Sequence, residues 1–107
     1  MKTYRLEMEK EMAVVRINNF EAHNEEIMDQ QIEDLAGKIQ DLYPDAEMML
    51  NIKTSATSIM NIVIYPDEKT ANKGLETRNR RSNNSNIKDQ WHMEGELKTL
   101  YLKKRLY

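Results

Sequence analysis

The 107-residue sequence contains no cysteine. This absence excludes disulfide bonds, thiolate nucleophiles and cysteine-ligated metal centres, and it favours a reducing, cytoplasmic location. No apolar run approaches the roughly 20 residues that a transmembrane helix needs, so no membrane partner is expected. Residues 1–7 lack the apolar core of a secretory signal. With only 3 glycines and 2 prolines, few turns depend on unusual backbone geometry.

Charge is abundant but unevenly distributed. The 16 basic and 18 acidic side chains give a net charge of −2. Residues 1–66 carry 6 basic and 12 acidic groups, for −6, whereas residues 67–107 carry 10 and 6, for +4. The two parts of the chain are therefore expected to present surfaces of opposite sign.

Residues 24–42 predict the clearest element, an amphipathic helix. Apolar residues recur there at steps of four and three. They are Met28, Ile32, Leu35, Ile39 and Leu42. Asn24 suits the N-cap, and Pro44 prevents continuation of the helix. Gly37 weakens the interior of this helix. Close approach of the helix to a strand would explain a residue without a side chain at this position.

Alternating patterns predict strands on both sides of this helix. Residues 3–8 and 12–17 suggest one hairpin, and residues 47–54 and 58–65 suggest a second. In the second hairpin we expect Met48 and Met60 to face the core. The opposite face would then offer an apolar patch to a partner or to a second copy of the chain. That patch would comprise Met12, Met49, Ile59 and Val63.

The C-terminal third is harder to interpret. Residues 67–81 are polar and compatible with a helix capped by Asp67, and residues 78–87 read as a mobile polar and basic loop. Residues 96–106 fit either a strand or a helix, with strand slightly favoured. We therefore predict a single α+β domain over 1–107. Its antiparallel sheet has four to five strands, ββαββ plus a C-terminal element, packed on one main helix at 24–42.

The basic C-terminal part provides the leading functional hypothesis. Cations displace counterions from phosphates, and an exposed tryptophan can stack on unpaired bases. The candidate residues for a nucleic acid or nucleoprotein partner are Arg78, Arg80, Arg81, Lys88, Trp91, Lys103, Lys104 and Arg105. The competing interpretation is a solvated basic surface with the tryptophan in the core.

An acidic helix surface provides the alternative hypothesis. The residues concerned are Glu25, Glu26, Asp29, Glu33 and Asp34. This face, or an exposed sheet face, would let the chain act as a protein-only inhibitor or adaptor and possible homodimer. Small regulators of viruses or mobile elements have a similar size and composition. An ordinary solvated helix surface is the competing interpretation.

Catalytic signatures are absent. The sequence has no phosphate-binding glycine loop, nucleophile elbow or zinc-protease motif. His92 with Glu94 or Glu96 supplies too few ligands for a metal site. No cofactor and no metal are therefore expected, no motif fixes a family, and the sequence predicts a non-enzymatic binding or regulatory protein.

Overall fold

The structure is a computed structural model that describes residues 12–103. Its strands are β1 (Val14–Ala22), β2 (Met48–Ser55), β3 (Ser58–Tyr65) and β4 (Ile87–Glu96). Its helices are α1 (Glu25–Ala36), the single turn α2 (Ile39–Leu42) and α3 (Glu68–Ser82). No helix in this part of the chain is long and apolar enough to cross a membrane.

The four strands form one antiparallel sheet in the order β2-β3-β1-β4. The two long helices pack on the same face of the two central strands, β1 and β3. This arrangement confirms the predicted class, a small α+β domain with an antiparallel sheet packed on helices. The strand expected at residues 3–8 lies outside the described residues.

The predicted helix over 24–42 is divided into α1 and α2. The Asn24 side chain caps α1 by accepting from the Ile27 amide at 2.9 Å, as expected, but Gly37 ends the helix. A side chain added at Gly37 would meet nothing within 4 Å, so no strand requires this glycine. The close approach is instead at Gly74 of α3, where a Cβ would collide with the Tyr65 ring.

The polar segment after β3 is a second long helix. The Asp67 carboxylate caps α3 by accepting from the Thr70 amide at 2.7 Å. The expected loop at 78–87 was placed too early, because residues 78–82 are helical and only 83–86 connect α3 to β4. Arg80 and Arg81 suit a helix end, where cations complement the helix dipole. Mobility of 83–86 stays a prediction.

The final strand also differs from expectation. β4 spans Ile87–Glu96 and pairs with β1 along its length, whereas residues 97–103 have no regular structure. The strand favoured at 96–106 is therefore wrong over 97–103, and its last residues lie outside the described part. β4 is an edge strand that packs little against the helices, and most of its side chains are exposed. Its sequence therefore lacks the clear alternation of apolar and polar residues that predicts a strand.

The alternation in β3 was correct, but its two faces were exchanged. Ile59 and Val63 pack beneath the helices, with Val63 only 1% exposed, whereas Met60 and Ile62 lie on the open face. Met48 pairs opposite Ile64 and shares that open face. Met28 is fully buried in the core, as predicted.

Candidate functional site

A row of polar side chains crosses the helix-facing side of the sheet. The register places Asn51, Asn61, Asn18 and His92 directly opposite one another on β2, β3, β1 and β4. Asn61 Nδ2 donates to Asn51 Oδ1 at 2.7 Å, and Asn18 Nδ2 donates to Asn61 Oδ1 at 2.9 Å. His92 Nδ1 lies 2.8 Å from Asn18 Oδ1. One hydrogen-bonded chain thus links all four strands.

The two central members of this row are deeply buried. Asn18 and Asn61 are each 4% exposed and lie among apolar core residues. A buried amide destabilises a fold unless it is hydrogen-bonded, and each of these amides bonds to a neighbour in the row. Apolar residues of similar volume would fill the same positions without that constraint. The row is therefore the most informative feature of the helix-facing side.

His92 ends the row at the edge of the sheet. Its ring packs edge-on against Phe20, with centroids 5.8 Å apart, and its Nε2 lies 2.9 Å from Gln90 Oε1. Burial, and then the positive charge of Arg78, hold the pKa of His92 below its usual value. Both causes favour the neutral imidazole over the charged one. Asn18 Oδ1 can only accept a hydrogen bond, so His92 Nδ1 carries a proton and is the donor in this contact.

Two arginines lie further along the same face. Arg16, only 5% exposed, donates to the Ala71 carbonyl and to Asn72 Oδ1, at 2.5 and 2.8 Å. Its Nε lies 3.6 Å from a Glu94 carboxylate oxygen. Burial, and then the charge of Arg16, lower the pKa of Arg78. The Arg78 Nε is buried without a hydrogen-bond partner among the described residues.

The Asn51 end of the row opens into a crevice between α1, the sheet and the end of α3. The crevice contains about 370 Å³ of space, counting the part open to solvent. Most of its walls are apolar, and its polar groups are amides and one guanidinium. The lining residues are Phe20, Met28, Gln31, Ile32, Leu35, Asn51, Ile59, Asn61, Arg81 and Ile87.

This lining suits one kind of ligand. Apolar walls with a few polar groups are typical of small-molecule sites. No carboxylate lines the crevice, and Arg81 contributes a positive charge. An anionic oxygen atom of a ligand would therefore find hydrogen-bond donors there and no negative charge to repel it. The enclosed part holds only about one or two water molecules. An organic ring must therefore displace side chains, and the flexible Met28 can adapt.

A second groove lies at the opposite end of α3. It is roomier than the crevice, at about 550 Å³ counted in the same way, and includes Tyr43, Tyr65 and Lys73. Burial is the main reason that the pKa of Tyr65 is raised. Asp41 and Asp45 also line this groove, and none of the residues that line it belongs to the polar row. The crevice is the better candidate because the buried row leads into it.

The residues predicted to bind nucleic acid do not form one surface. Arg81 lines the crevice, Arg78 is half-buried, and Arg80 is exposed on α3. Lys88 and Trp91 lie on β4, where Trp91 points to the open face opposite the helices. Lys103 is exposed beyond β4, and Lys104 and Arg105 lie outside the described residues. Nucleic-acid binding by these residues stays a prediction.

The predicted acidic surface is exposed on α1, but it has a basic partner. Lys53 of β2 contacts Glu25 at 2.9 Å and Asp29 at 2.8 Å, and these contacts raise the pKa of Lys53. Gln30 donates to Asp34, whereas Glu26 and Glu33 are exposed to solvent. Protein binding through this surface stays a prediction. The sequence could not reveal the Lys53 contacts because they depend on how β2 lies beside α1.

The open face of the sheet is largely apolar. Leu50 and Ile52 of β2 are 49% and 43% exposed, and Trp91 and Met93 of β4 are 43% and 55% exposed. Between them lie the half-buried side chains of Ile17, Met60 and Ile62. A continuous apolar surface of this kind normally marks an interaction site.

Sequence reasoning missed most of the crevice and the row. None of the three asparagines of the row, Asn18, Asn51 and Asn61, is singled out by the sequence patterns. One signal was present, since Arg16 and Asn18 share a strand face with the apolar Val14 and Phe20. Polar residues that share one face of a strand with apolar residues can indicate a functional row. Their partners on the neighbouring strands can be identified only when the register of the strands is known.

The strand order and the helix after each of β1 and β3 define a ferredoxin-like βαββαβ fold. No protein-family model matches the chain, and no curated protein matches its sequence. Solved structures share the fold at low identity. A Nitrosomonas europaea protein of unknown function is 11% identical, with a TM-score of 0.70 over 88% of this chain and 97% of that one.

Two further similar structures are described by their oligomeric state or their activity. A dimeric ferredoxin-like protein from an uncultured marine organism is 11% identical, with a TM-score of 0.65 over 88% of this chain and 95% of that one. The ActVA-Orf6 monooxygenase of Streptomyces coelicolor, solved with Nanaomycin D, is 14% identical. It has a TM-score of 0.65 over 87% of this chain and 94% of that one.

These similarities correct the prediction of a non-enzymatic protein. Besides that monooxygenase, the fold is shared by SnoaB, a cofactor-independent oxygenase from Streptomyces nogalater, and by a hydroxynitrile lyase from Passiflora edulis. Their TM-scores are 0.62 and 0.55, at 11% identity. The prediction failed because it used missing sequence motifs to exclude catalysis, although this small fold serves enzymes.

Proposed function

We propose that this chain is an enzyme that binds a small, mainly apolar organic substrate in the crevice and stabilises negative charge on one of its oxygen atoms. The observation that carries the proposal is the buried polar row, which ends at Asn51 and Asn61 within an apolar crevice. The enzymes that share the fold support the catalytic part.

The chemistry follows from the groups that line the crevice. Arg81 and the amide donors can hold an enolate, phenolate or carboxylate oxygen, while the apolar walls exclude water from the rest of the molecule. Donors fixed before the reaction stabilise a developing oxyanion more effectively than water does. The crevice therefore favours deprotonation of a bound phenol or carbon acid. The proton passes to solvent water at the open side, because none of the described lining side chains is a base.

The ionisation of bound p-nitrophenol tests this proposal, since its colour reports the phenolate. We expect the bound probe to ionise at lower pH than the free probe, because the crevice stabilises the anion. Arg81→Gln should reduce this effect, whereas Arg80→Gln, one residue earlier and exposed on α3, should not. An unchanged or raised pKa of the bound probe would contradict the proposal.

Turnover requires its own measurement. Hydroxylated aromatic compounds, including Nanaomycin D, should be incubated with the protein and with Arg81→Gln, and the products identified by mass spectrometry. We expect product with the unchanged protein and at least about tenfold less with the variant. Binding without turnover across the panel would contradict the catalytic part and leave a binding protein.

We also propose that two copies associate through the open faces of their sheets. Association would cover Leu50, Ile52, Trp91 and Met93, which are otherwise exposed to water. The dimeric ferredoxin-like neighbour supports a second copy as the occupant. Sedimentation equilibrium should give twice the mass of the chain, and a concentration-independent monomer would contradict the dimer.

A further inference from the structure

The hydrogen bonds of the polar row all point in one direction. His92 donates from Nδ1 to Asn18, Asn18 donates from Nδ2 to Asn61, and Asn61 donates from Nδ2 to Asn51. Each side-chain oxygen in this part of the row is already an acceptor. The next donor in the series is the Asn51 amide nitrogen, and Asn51 lines the crevice.

We propose that this row presents the Asn51 amide as a donor to an acceptor oxygen of the bound ligand, and that it couples ligand binding to the protonation of His92. The inference rests on the proposed function because it assumes that the crevice binds an oxygen-bearing ligand. The coupling crosses four adjacent strands, a distance of about 14 Å at the usual strand spacing.

The physical basis is mutual polarisation along a chain of hydrogen bonds. Each bond makes the next donor stronger, and a buried row has little water to screen that effect. A protonated imidazole donates more strongly from Nδ1 than a neutral one, so it should strengthen the donor at Asn51. The Nε2 of His92 lies 2.9 Å from Gln90 Oε1, an oxygen that accepts a hydrogen bond from the ring once Nε2 is protonated.

Linkage requires that the coupling work in both directions. If protonation of His92 strengthens ligand binding, a bound anion must raise the pKa of His92 by the same free energy. The charged groups around the ring are Arg78 on α3 and, further along the sheet, the Arg16–Glu94 pair. None of these groups belongs to the row, so variants within the row leave them in place.

Benzoate is a suitable probe because it combines one apolar ring with an anionic oxygen acceptor. Benzylammonium has a similar size but no acceptor, and it serves as the ligand control. The His92 ring signals should be followed by NMR between pH 5.5 and pH 8, with and without each probe. We expect benzoate, but not benzylammonium, to bind in the crevice and to raise the pKa of His92.

Three variants test whether the row carries the effect. Asn51→Leu should weaken benzoate binding about tenfold or more, since a hydrogen bond to a charged group is lost. Asn18→Leu should retain binding but abolish the response of His92. Asn19→Leu is the matched control, because Asn19 is the next residue of β1 and points to the open face. It should behave like the unchanged protein.

The results separate the two proposals. If benzoate does not bind to the unchanged protein, the proposed function fails and this inference fails with it. If benzoate binds in the crevice but His92 does not respond, or responds equally in Asn18→Leu, the inference alone is overturned. Should Asn18→Leu not fold, Asn51→Leu on the edge strand decides, and unchanged affinity in that variant overturns the inference.

Discussion

The two faces of the sheet each depart from the usual pattern. An antiparallel sheet with helices on one side normally buries its apolar face and exposes a polar one. Here the helix-covered face holds Arg16, Asn18 and Asn61, which are all buried. The other face, which none of the described helices covers, instead presents Leu50 and Met93.

Each of these departures has a cost when the protein is considered as a single copy in isolation. Buried amides must be fully paired to avoid a loss of stability, and an exposed apolar face loses the benefit of burial. The hydrogen bonds of the row offset the first cost, which leaves the row free to serve a ligand, and a second copy on the apolar face would remove the second cost. The comparison therefore connects the proposed site with the proposed dimer, although the two lie on opposite sides of one sheet.

The largest expected effect comes from placing a lysine at each of two adjacent residues of β3 that lie on opposite faces of the sheet. Val63→Lys places a charge in the core, and the cost should exceed about 5 kcal/mol and unfold the chain. Ile62→Lys places the same charge on the open face, so the chain should fold but remain a monomer. Circular dichroism and sedimentation measure the two outcomes. A folded Val63→Lys protein, or a dimeric Ile62→Lys protein, would contradict this assignment of the faces.

A smaller effect is expected from a neutral substitution on each face. Asn61→Leu leaves the Asn18 amide and the Asn51 oxygen without their partner, and should destabilise the fold by about 1–3 kcal/mol. Met60→Leu on the open face should cost less than about 1.5 kcal/mol. Urea unfolding measures both. The double variant Asn18→Leu/Asn61→Leu should cost less than the sum of its parts, and strict additivity would show that the row is not energetically coupled.

The elements of this fold were largely predictable from local patterns, whereas its faces were not. The stripe that begins at Met28 predicted α1, and Asp67 marked the start of α3. Alternation in β3 defines two faces, but hydrophobicity alone assigned the core to the more apolar one. That choice exchanged the positions of Met60 and Val63, because the more apolar face of β3 is the one that no described helix covers.

The candidate site was less predictable because its contacts join distant parts of the chain. Asn18 and Asn61 are separated by 43 positions, and Asn18 and His92 by 74. Only the strand register brings them opposite one another. Arg81 was selected for its charge, but a helix that continues past residue 78 was needed to place it against the crevice.

The smallest expected effect concerns the pH dependence that His92 gives to the helix-covered face. The pKa of His92 is lowered in the folded state, chiefly by burial, below the value of about 6.5 expected in the unfolded chain. Between these two values the unfolded state binds more protons, so folding stability falls as pH falls. The contribution is complete above about pH 6.5 and is lost as pH decreases toward the folded pKa.

The ring is partly exposed, so solvent screening should keep this contribution below about 1 kcal/mol. His92→Gln preserves a side chain that can reach Asn18, but it cannot titrate. The slope of unfolding free energy between pH 7.5 and pH 5.5 should therefore be shallower in this variant than in the unchanged protein. His23→Gln is the control, because His23 is exposed before α1 and lies outside the row. An equal slope in His92→Gln would mean that the imidazole has the same proton affinity folded and unfolded, and that the buried row does not constrain its ionisation.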